Sequence, residues 1–542
     1  MQPHALDHPS RNNEDESAIL LPRSQPEPEP ESDTDQHDND NEPSTPNKQR
    51  RHLGLLSTTF LITNRMIGTA IFSVPSSICG SVGSAGATLL LWLAGLFLAY
   101  CGMFIWIELG SLMPRSGGEK VYLEAAFPRP AMLVTTVFMV FVVGLGFTGI
   151  GSVVVAENIL LTINGTASDW VKRALAIGVL TLIATIHIKS CTLGVKIMNI
   201  LATSKILILT LIILSGLRAL AGDLPQIPNP GSSLSHPFEN SSTSIPAYTN
   251  ALFKILATYQ GWSNAAYVLD EVKSPRIVLK IAGLVGVGSV GLLYILTNLS
   301  YFIVATPEEI SQTGVTVVAL LIGKVFGETM LWLTALLAAL SSFGNLMTAS
   351  FSMARVVREF AREGVLPFSS VFVQRTREGG PSWAFGLVFA ASAGMILFIP
   401  FGEVYNFLLD VGQYAIAIIN VFVVIGLFII RRQQARTQTI SRGQLKERTF
   451  RAWTPIVYVF LASQAFLLIT PFVPSATDGK KEKALPSWLY AVVAILIFLG
   501  AGVYWFVSWV VIPRRGGFVW RGRKETLPDG EDVFLWDKVK VR

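Results

Sequence analysis

Long apolar runs recur along most of this chain, and they constrain its fold more than any other feature of the sequence. A helix needs about 20 apolar residues to cross the roughly 30 Å of hydrocarbon in a bilayer. Only 15% of the 542 residues are charged, against roughly a quarter in soluble domains. The runs therefore predict an all-α membrane protein with twelve transmembrane helices, and they exclude an ordinary cytosolic enzyme. The predicted spans lie at about 53–80, 86–111, 131–161, 171–190, 193–220, 247–269, 278–304, 315–350, 382–400, 403–430, 453–473 and 485–511.

Charge is distributed unevenly between the ends and the loops. Residues 1–50 hold twelve acidic and four basic residues, and their polar composition predicts a disordered acidic cytoplasmic tail. The predicted inner loops are rich in Lys and Arg, whereas the outer loops at 81–85, 305–314 and 401–402 contain neither. By the positive-inside rule both termini are cytoplasmic, including a C-terminal tail at 512–542. The excess of basic residues is thus explained by orientation in the membrane and not by a nucleic-acid partner.

Two of the twelve predicted spans are interrupted by small residues. Span 1 contains Gly68-Thr69-Ala70 followed by Pro75, and the centre of span 6 is small and polar around Gly261. One glycine in a span is more simply explained by close helix packing. Two interrupted spans, five spans apart, instead favour an inverted-repeat transporter, with repeats at about 53–220 and 247–430 and two further spans at 453–511. Residues 51–511 would then form one twelve-span transporter domain.

The chemistry of the two breaks predicts the kind of ligand. A half-helix that begins after Gly68 would direct free N–H groups and its positive dipole end at an anion. Carbonyl groups freed near Ile67, and around Ala257 and Thr258, would accept hydrogen bonds from a cation. A ligand that carries a carboxylate and an ammonium group on one carbon satisfies both ends, which indicates an α-amino acid.

Four motifs carry a resemblance to a known family. They are NRMIGTAIF in span 1, SGGEKVYLEAAF at 116–127, YQGWSNAAYVLDEVKSP at 259–275 and SSFGNLMTASFSMARVVREFAREGVLPF at 341–368. The chain resembles the amino acid–polyamine–organocation superfamily and, within it, the L-type amino acid transporters. Asn64-Arg65-Met66 makes the resemblance strongest to fungal high-affinity methionine permeases. The resemblance covers about 51–510 and implies a LeuT-type 5+5 inverted repeat, with helices 1 and 6 broken, that transports by alternating access.

The resemblance also implies a substrate site. Gly68, Thr69 and Ala70 match the family's carboxylate-binding segment, in which a third glycine usually stands at the position of Ala70. Ala257, Thr258 and Tyr259 match the segment that receives the amino group and lines the side-chain pocket.

Ala257 stands where many relatives have a bulky aromatic gate, which leaves Tyr259 or Trp262 as substitutes. The pocket around Thr258, Tyr259 and Trp262 is apolar with one hydroxyl, so it suits methionine or another neutral amino acid.

Lys205 is a cation in the middle of predicted span 5. Such a lysine costs roughly 2.5–3.5 kcal/mol to insert, so it normally faces protein or water. The resemblance implies that it replaces a structural sodium ion, beside span 1 carbonyls and the hydroxyls of Ser341 and Ser342. The alternative is that its side chain extends to an interface. Proton release from Lys205 would make the protein a proton symporter, and exchange without protons stays open.

Three further charged residues are candidates for gating. Arg65 and Glu108 lie near the inner ends of their spans, where they form either one ion pair that closes a gate or two separate solvated side chains. Glu119 follows Gly117-Gly118 in a loop that the resemblance assigns to the cytoplasmic gate and not to substrate contact.

Several partners and other classes of protein are disfavoured. The loop at 162–169 lacks the cysteine that links animal relatives to a heavy chain, so we expect no disulfide-linked subunit. The six histidines show no metal-ligand spacing and no nucleotide motif is present, so we expect no metal, no cofactor and no enzyme. An amino-acid sensor of the same fold remains an alternative. We expect the plasma membrane, with candidate glycosylation sites at Asn164 and Asn240 in outer loops.

Overall fold

The structure, a computed structural model, describes residues 51–145, 149–163, 168–222, 224, 226–313, 317–374, 380–401, 403–440, 450–473, 486, 488–526 and 532–540. The predicted N-terminal tail and Asn164 lie outside these residues, so both stay predictions. Asn240 lies in an exposed turn between two helices, and its glycosylation also stays a prediction.

The described residues form helices throughout, followed by one two-stranded sheet. The α-helices are α1 Leu55–Met66, α2 Ala70–Val82, α3 Ala85–Leu112, α4 Glu119–Ala126, α5 Leu133–Leu145, α6 Gly149–Thr162, α7 Asp169–Lys189, α8 Cys191–Leu220, α9 Ser232–Ser235, α10 Ile245–Thr258, α11 Pro275–Val304, α12 Pro307–Gln312, α13 Val317–Phe326, α14 Trp332–Arg362, α15 Ser369–Phe372, α16 Ser382–Phe398, α17 Glu403–Ile440, α18 Thr454–Ile469, α19 Leu489–Phe506 and α20 Ile512–Gly516. Short 3-10 segments occupy Trp262–Glu271, Glu328–Met330 and Thr470–Phe472, and a π-helical turn occupies Val507–Val511. The strands are β1 Phe518–Thr526 and β2 Asp532–Lys540.

The helices are those of a protein that crosses the membrane many times. Within the described residues, nine helices are long and apolar enough to span a bilayer, and the bent pair α1–α2 would make ten. Predicted span 9 corresponds to α16, which has 17 residues and is shorter than these nine. Predicted span 6 is divided between α10 and the 3-10 segment at 262–271. The multi-pass helical fold therefore stands, while the count of twelve and the inverted repeat stay predictions.

Both helix interruptions occur where the small residues predict them. α1 ends at Met66 and α2 begins at Ala70, with a bend of 44° between the two helices. α10 ends at Thr258, and a 3-10 segment resumes at Trp262 after Gly261, which has a φ of +120°. α1 packs against α8, α11 and α14, so the end of the first half-helix lies inside the bundle.

The C-terminal segment, which the sequence predicts to be a tail, contains regular secondary structure. β1 and β2 pair antiparallel, with Phe518 opposite Lys540. The indole N–H of Trp536 donates to the carbonyl of Glu363 at 3.0 Å, just beyond α14. Gly364 has a φ of +71°, and a Cβ there would clash with the carbonyl oxygen of Phe534. The hairpin is therefore docked closely against the turn that ends α14.

Candidate functional site

The side chain of Lys205 caps the end of α1. Lys205 lies on α8 and is 1% exposed. Its ammonium group donates to the carbonyls of Asn64 at 2.7 Å and Ile67 at 2.5 Å. Gly344 on α14 leaves room for it, since a Cβ there would lie 3.0 Å from the Lys205 Cε. The structure thus places Lys205 beside span 1 carbonyls and not at an interface.

The other carbonyls at the end of α1 are also bound by side chains. A helix end leaves its last carbonyls without partners, and a dry interior supplies no water to them. The carbonyl of Arg65 accepts from the Asn345 amide at 2.6 Å, and the carbonyl of Met66 accepts from the Tyr294 hydroxyl at 2.9 Å. The carbonyl of Gly68 accepts a hydrogen bond from the Ser341 hydroxyl at 2.9 Å. The five consecutive carbonyls of residues 64–68 therefore accept hydrogen bonds from side chains on α8, α11 or α14.

Two details of this arrangement differ from the prediction. The Ile67 carbonyl accepts from Lys205, and Ile67 does not line the cavity in which a substrate ammonium would lie. Ser341 bonds to the Gly68 carbonyl instead of to Lys205, and the buried Ser342 hydroxyl has no hydrogen-bond partner in the part of the chain that the structure describes. The reason is geometric. The Lys205 ammonium donates directly to the carbonyls of Asn64 and Ile67, so the Ser341 hydroxyl donates to the following carbonyl, that of Gly68.

A cavity of about 430 Å³ lies beside the two helix breaks, within the roughly 300–1,000 Å³ typical of small-molecule sites. The N-terminus of α2 reaches it through Thr69, the N-cap residue. Helix N-termini attract anions through their free N–H groups and dipole. The polar part of the wall includes Arg65, Glu119, Gln260, Asn264 and Asn345, and the apolar part includes Phe138, Ile150, Val154, Leu408 and Ile416.

The predicted substrate residues divide into two groups. Thr69, Gly261 and Trp262 line the cavity. The other six are not part of its wall: Ile67, Gly68, Ala70, Ala257, Thr258 and Tyr259. The Thr258 hydroxyl donates instead to the carbonyl of Lys254 at 2.8 Å. Among the described residues, the break in span 6 therefore contributes to the cavity mainly through residues after Tyr259.

Tyr259 is not at the cavity, contrary to its prediction as a gate. Its ring packs between Trp92 and Tyr294, and its hydroxyl donates to the Trp92 carbonyl at 3.3 Å. Trp262, the other candidate, does line the cavity, and its ring lies edge-on to Trp106 with centroids 4.8 Å apart. The difference arises because the helix ends at Thr258 and the following residues turn Trp262 inward.

Gly261 brings the two breaks into contact. A Cβ at this position would lie 3.0 Å from the carbonyl carbon of Arg65 and 3.0 Å from the amide nitrogen of Met66. Real Cβ atoms rarely approach backbone so closely, and the φ of +120° also disfavours a side chain. A glycine is therefore required for the span 6 break to pack against the end of α1.

Glu119 lies in the cavity wall, where the sequence did not place it. It is the first residue of α4, is 5% exposed and accepts from the indole N–H of Trp106 at 3.1 Å. The prediction assigned it to a gating loop without substrate contact. The structure places it in the cavity wall, because the positive φ values of Gly117 and Gly118 turn the chain so that α4 begins there, and the gating role stays a prediction.

Comparison with known proteins identifies the family. A family model described as "Amino acid permease" matches residues 53–499.

The chain belongs to the amino acid permease family.

Curated relatives of this permease are transport proteins. It is 32% identical over 496 residues to the high-affinity methionine permease of Saccharomyces cerevisiae, covering 91% of this chain and 84% of that protein. It is 28% identical over 504 residues to the low-affinity methionine permease of the same yeast, covering 90% and 88%. It is 28% identical over 487 residues to the b(0,+)-type amino acid transporter 1 of Rattus norvegicus, covering 86% and 89%. These relatives are permeases and transporters, not enzymes, and they confirm the resemblance.

The predicted alternatives for Arg65 and Glu108 do not match the permease structure. The Arg65 guanidinium donates to the Asn345 side-chain oxygen at 2.9 Å. Glu108 is 3% exposed and pairs with Arg431 at 2.8 and 2.5 Å, while the amide of Ala452 donates to it at 2.7 Å. The ion pair between Arg65 and Glu108 is therefore wrong, and so is a solvated Glu108. The carboxylate instead joins the ends of α3 and α17 to the start of α18.

This pairing predicts a structural role for Glu108. Glu108→Gln should lower the thermal unfolding temperature in detergent, because loss of one partner from a buried ion pair costs about 3–5 kcal/mol. The amino acid affinity of the protein that remains folded should stay unchanged, because Glu108 does not line the cavity. Glu328→Gln, in an exposed 3-10 segment, is the control. An altered affinity at unchanged stability would contradict a purely structural role.

A second charged cluster ties α4 to the end of α14. Arg115 contacts Glu359 at 3.2 Å and Glu363 at 2.9 Å, and Lys120 pairs with Glu124 and Glu363. Burial lowers the pKa of the Arg115 guanidinium, but the carboxylates of Glu359 and Glu363 outweigh it and raise that pKa above its usual range. The loop that places Glu119 in the cavity wall is thus held to α14 by ion pairs.

One group of the described residues has the composition of a metal site. Ligand atoms of His52, Cys191 and Glu271 lie within 4.8 Å of one another. Arg355 already contacts the Glu271 carboxylate at 2.8 Å and the Cys191 sulfur at 3.2 Å. Because a guanidinium supplies the positive charge at this position, we assign the group to an ion-pair cluster and not to a metal.

Asn345 and Tyr294 are site residues that the sequence reasoning missed. Asn345 stands within the quoted motif at 341–368, and Tyr294 lies inside predicted span 7. Polar groups within apolar runs need partners, so both could have been flagged as candidates. The sequence alone could not show that they bind the Arg65 and Met66 carbonyls.

Proposed function

We propose that this permease moves a neutral L-amino acid, with methionine favoured, across the membrane by alternating access and together with protons. The observation that carries the proposal is the cavity in which the N-terminus of α2 meets an apolar wall. A helix N-terminus suits a carboxylate, and the apolar wall suits a side chain without charge. Arg65 and Glu119 contribute opposite charges to the same cavity, which suits a zwitterion.

Coupling is assigned to Lys205. A buried ammonium group beside two carbonyls is held by charge-assisted hydrogen bonds, and its loss of a proton would weaken them. α1 could then move relative to α8 and change access to the cavity. The position of Lys205 supports proton symport, and exchange is the alternative. In this proposal the protein acts in the plasma membrane with both termini cytoplasmic, and without a disulfide-linked heavy chain.

Uptake of radiolabelled methionine tests this function. In a host that lacks its own methionine permeases, we expect concentrative uptake that is faster at acidic than at neutral external pH. Unlabelled neutral apolar amino acids should compete, whereas lysine and glutamate should not, because the apolar wall offers no partner for a second charge. The empty vector is the control.

Three results would contradict parts of the proposal. Binding without accumulation would favour a sensor. Uptake that requires a preloaded amino acid on the opposite side would favour an exchanger. Stronger competition by a charged amino acid than by neutral ones would contradict the substrate class.

A further inference from the structure

The carboxylate of Glu119 is bonded on one side only. Its Oε1 atom accepts from the Trp106 indole N–H at 3.1 Å, whereas Oε2 is buried and has no hydrogen-bond partner among the described residues. The residue lines the cavity. A buried carboxylate with an unpartnered oxygen is costly in its charged form and much less so when it is neutral. Glu119 is therefore suited to gain and lose a proton where the ligand binds.

We propose that Glu119 is a proton-binding site of the transport cycle, where Oε2 takes up one proton to give a neutral carboxyl group and later releases it. This inference rests on the proton coupling proposed above. It adds a second group to Lys205, whose ammonium is directed at the α1 carbonyls and is absent from the cavity wall. Glu119 can exchange its proton with solvent that enters the cavity, whereas Lys205 is separated from it.

The groups around Glu119 come from three elements besides α4. α1 contributes Arg65 to the same cavity wall, and the 3-10 segment contributes Tyr267 and Ser263. α3 contributes the neutral Trp106.

The charges nearest to α4 are already paired with other groups. On α4, Lys120 pairs with Glu124 and Glu363. α14 brings Glu359 close to Gly117, and this carboxylate pairs with Arg115 and Arg362. The cations nearest in sequence to Glu119 are thus used by other carboxylates.

The electrostatic balance agrees with this geometry. Burial raises the pKa of the Glu119 carboxyl above its usual value, while its polar surroundings, the Trp106 indole N–H among them, offset part of that rise. Removing the Trp106 donor should raise the pKa further, because it stabilises the charged form. The cavity therefore contains both a proton acceptor, the Glu119 carboxylate, and neighbouring groups that adjust its affinity for a proton.

Glu119→Gln in proteoliposomes tests the inference, because glutamine imitates the neutral carboxyl in shape and cannot release a proton. We expect methionine counterflow to persist while uptake loses its dependence on pH and methionine no longer moves protons, as followed with a trapped pH-sensitive dye. Glu119→Asp keeps a carboxyl and should keep the pH dependence. Glu124→Gln is the matched control on the same helix, because Glu124 does not line the cavity and Lys120 keeps its pairing with Glu363.

The outcomes separate this inference from the proposed function. If the wild type moves no protons with methionine, the proton coupling of the proposed function fails. If the wild type is coupled and Glu119→Gln keeps both proton movement and pH dependence, only the role of Glu119 is overturned. Should Glu119→Gln fail to fold, Trp106→Phe decides, because it keeps an aromatic ring and removes the donor to Oε1: a pH midpoint of uptake shifted to higher pH supports the inference, and an unchanged midpoint overturns it.

Discussion

Lys205→Met should abolish the proposed methionine uptake while leaving the permease in the membrane. The substitution keeps a long side chain but removes the donors to the Asn64 and Ile67 carbonyls. A hydrogen bond to a charged group contributes about 1.5–3 kcal/mol, so the loss of two should reduce uptake at least about tenfold. These carbonyls end the half-helix that precedes the cavity, so their loss should change the position of α1 relative to α2. Initial rates of labelled methionine uptake, normalised to the amount of protein in the membrane, measure the effect.

Lys196→Met is the matched control for this experiment. Lys196 lies on the same helix, but its side chain is exposed, so the variant should transport like the wild type. If Lys205→Met retained both uptake and the pH dependence of the wild type, Lys205 would have no part in the mechanism. If it lost uptake only because it failed to reach the membrane, binding of methionine to the solubilised protein would decide whether the site is intact. Retained affinity without transport would support the coupling role.

The sequence was sufficient to predict the two helix breaks and the position of Lys205. Gly68 and Gly261 stand in runs that are otherwise long enough to span a bilayer, and helices break at such residues for local reasons. A lysine in the middle of a span has few acceptable surroundings, since lipid excludes it. The breaks and the burial of Lys205 depend on local composition and on the solvent properties of the membrane, which a single sequence contains, whereas its place beside the span 1 carbonyls was implied by the family resemblance.

The partners of the charged residues could not be predicted in the same way. Each residue along a helix turns its side chain by about 100°, so an error of one residue directs a charge to another neighbour. Arg65 and Glu108 lie at similar expected depths, yet the structure directs one to Asn345 and the other to Arg431. The Lys and Arg counts used for orientation could not reveal such pairing, because they depend on loops and not on helix rotation.

The C-terminal hairpin shows a related limit. Its strands lack the long apolar runs that identify membrane spans, so hydropathy along the sequence does not predict them. Their position depends on one glycine, Gly364, that allows the Phe534 carbonyl to approach the end of α14. A contact between residues so far apart in the chain is set by tertiary packing and leaves no local pattern.

Gly261→Ala should abolish uptake and lower the thermal unfolding temperature. A side chain at a φ of +120° is strained, at a cost of about 1–3 kcal/mol. The added Cβ would lie 3.0 Å from the backbone of Arg65 and Met66, and overpacking of this kind costs about 1–3 kcal/mol more. Backbone atoms cannot turn aside as a flexible side chain can, so α1 would have to move. The carbonyls of Arg65 and Met66 would then separate from Asn345 and Tyr294.

Gly68→Ala provides the comparison, because it places the same methyl group at the other break. There a Cβ would lie 3.5 Å from the Asn345 side-chain nitrogen, an ordinary contact, so the unfolding temperature should stay near that of the wild type. Any loss of uptake in Gly68→Ala would then come from a local change at the N-terminus of α2 and not from overpacking. Wild-type uptake and stability in Gly261→Ala would mean that the two breaks need not touch. A drop in stability confined to Gly261→Ala would show that the contact between the breaks supports the fold, as the geometry of α1 requires.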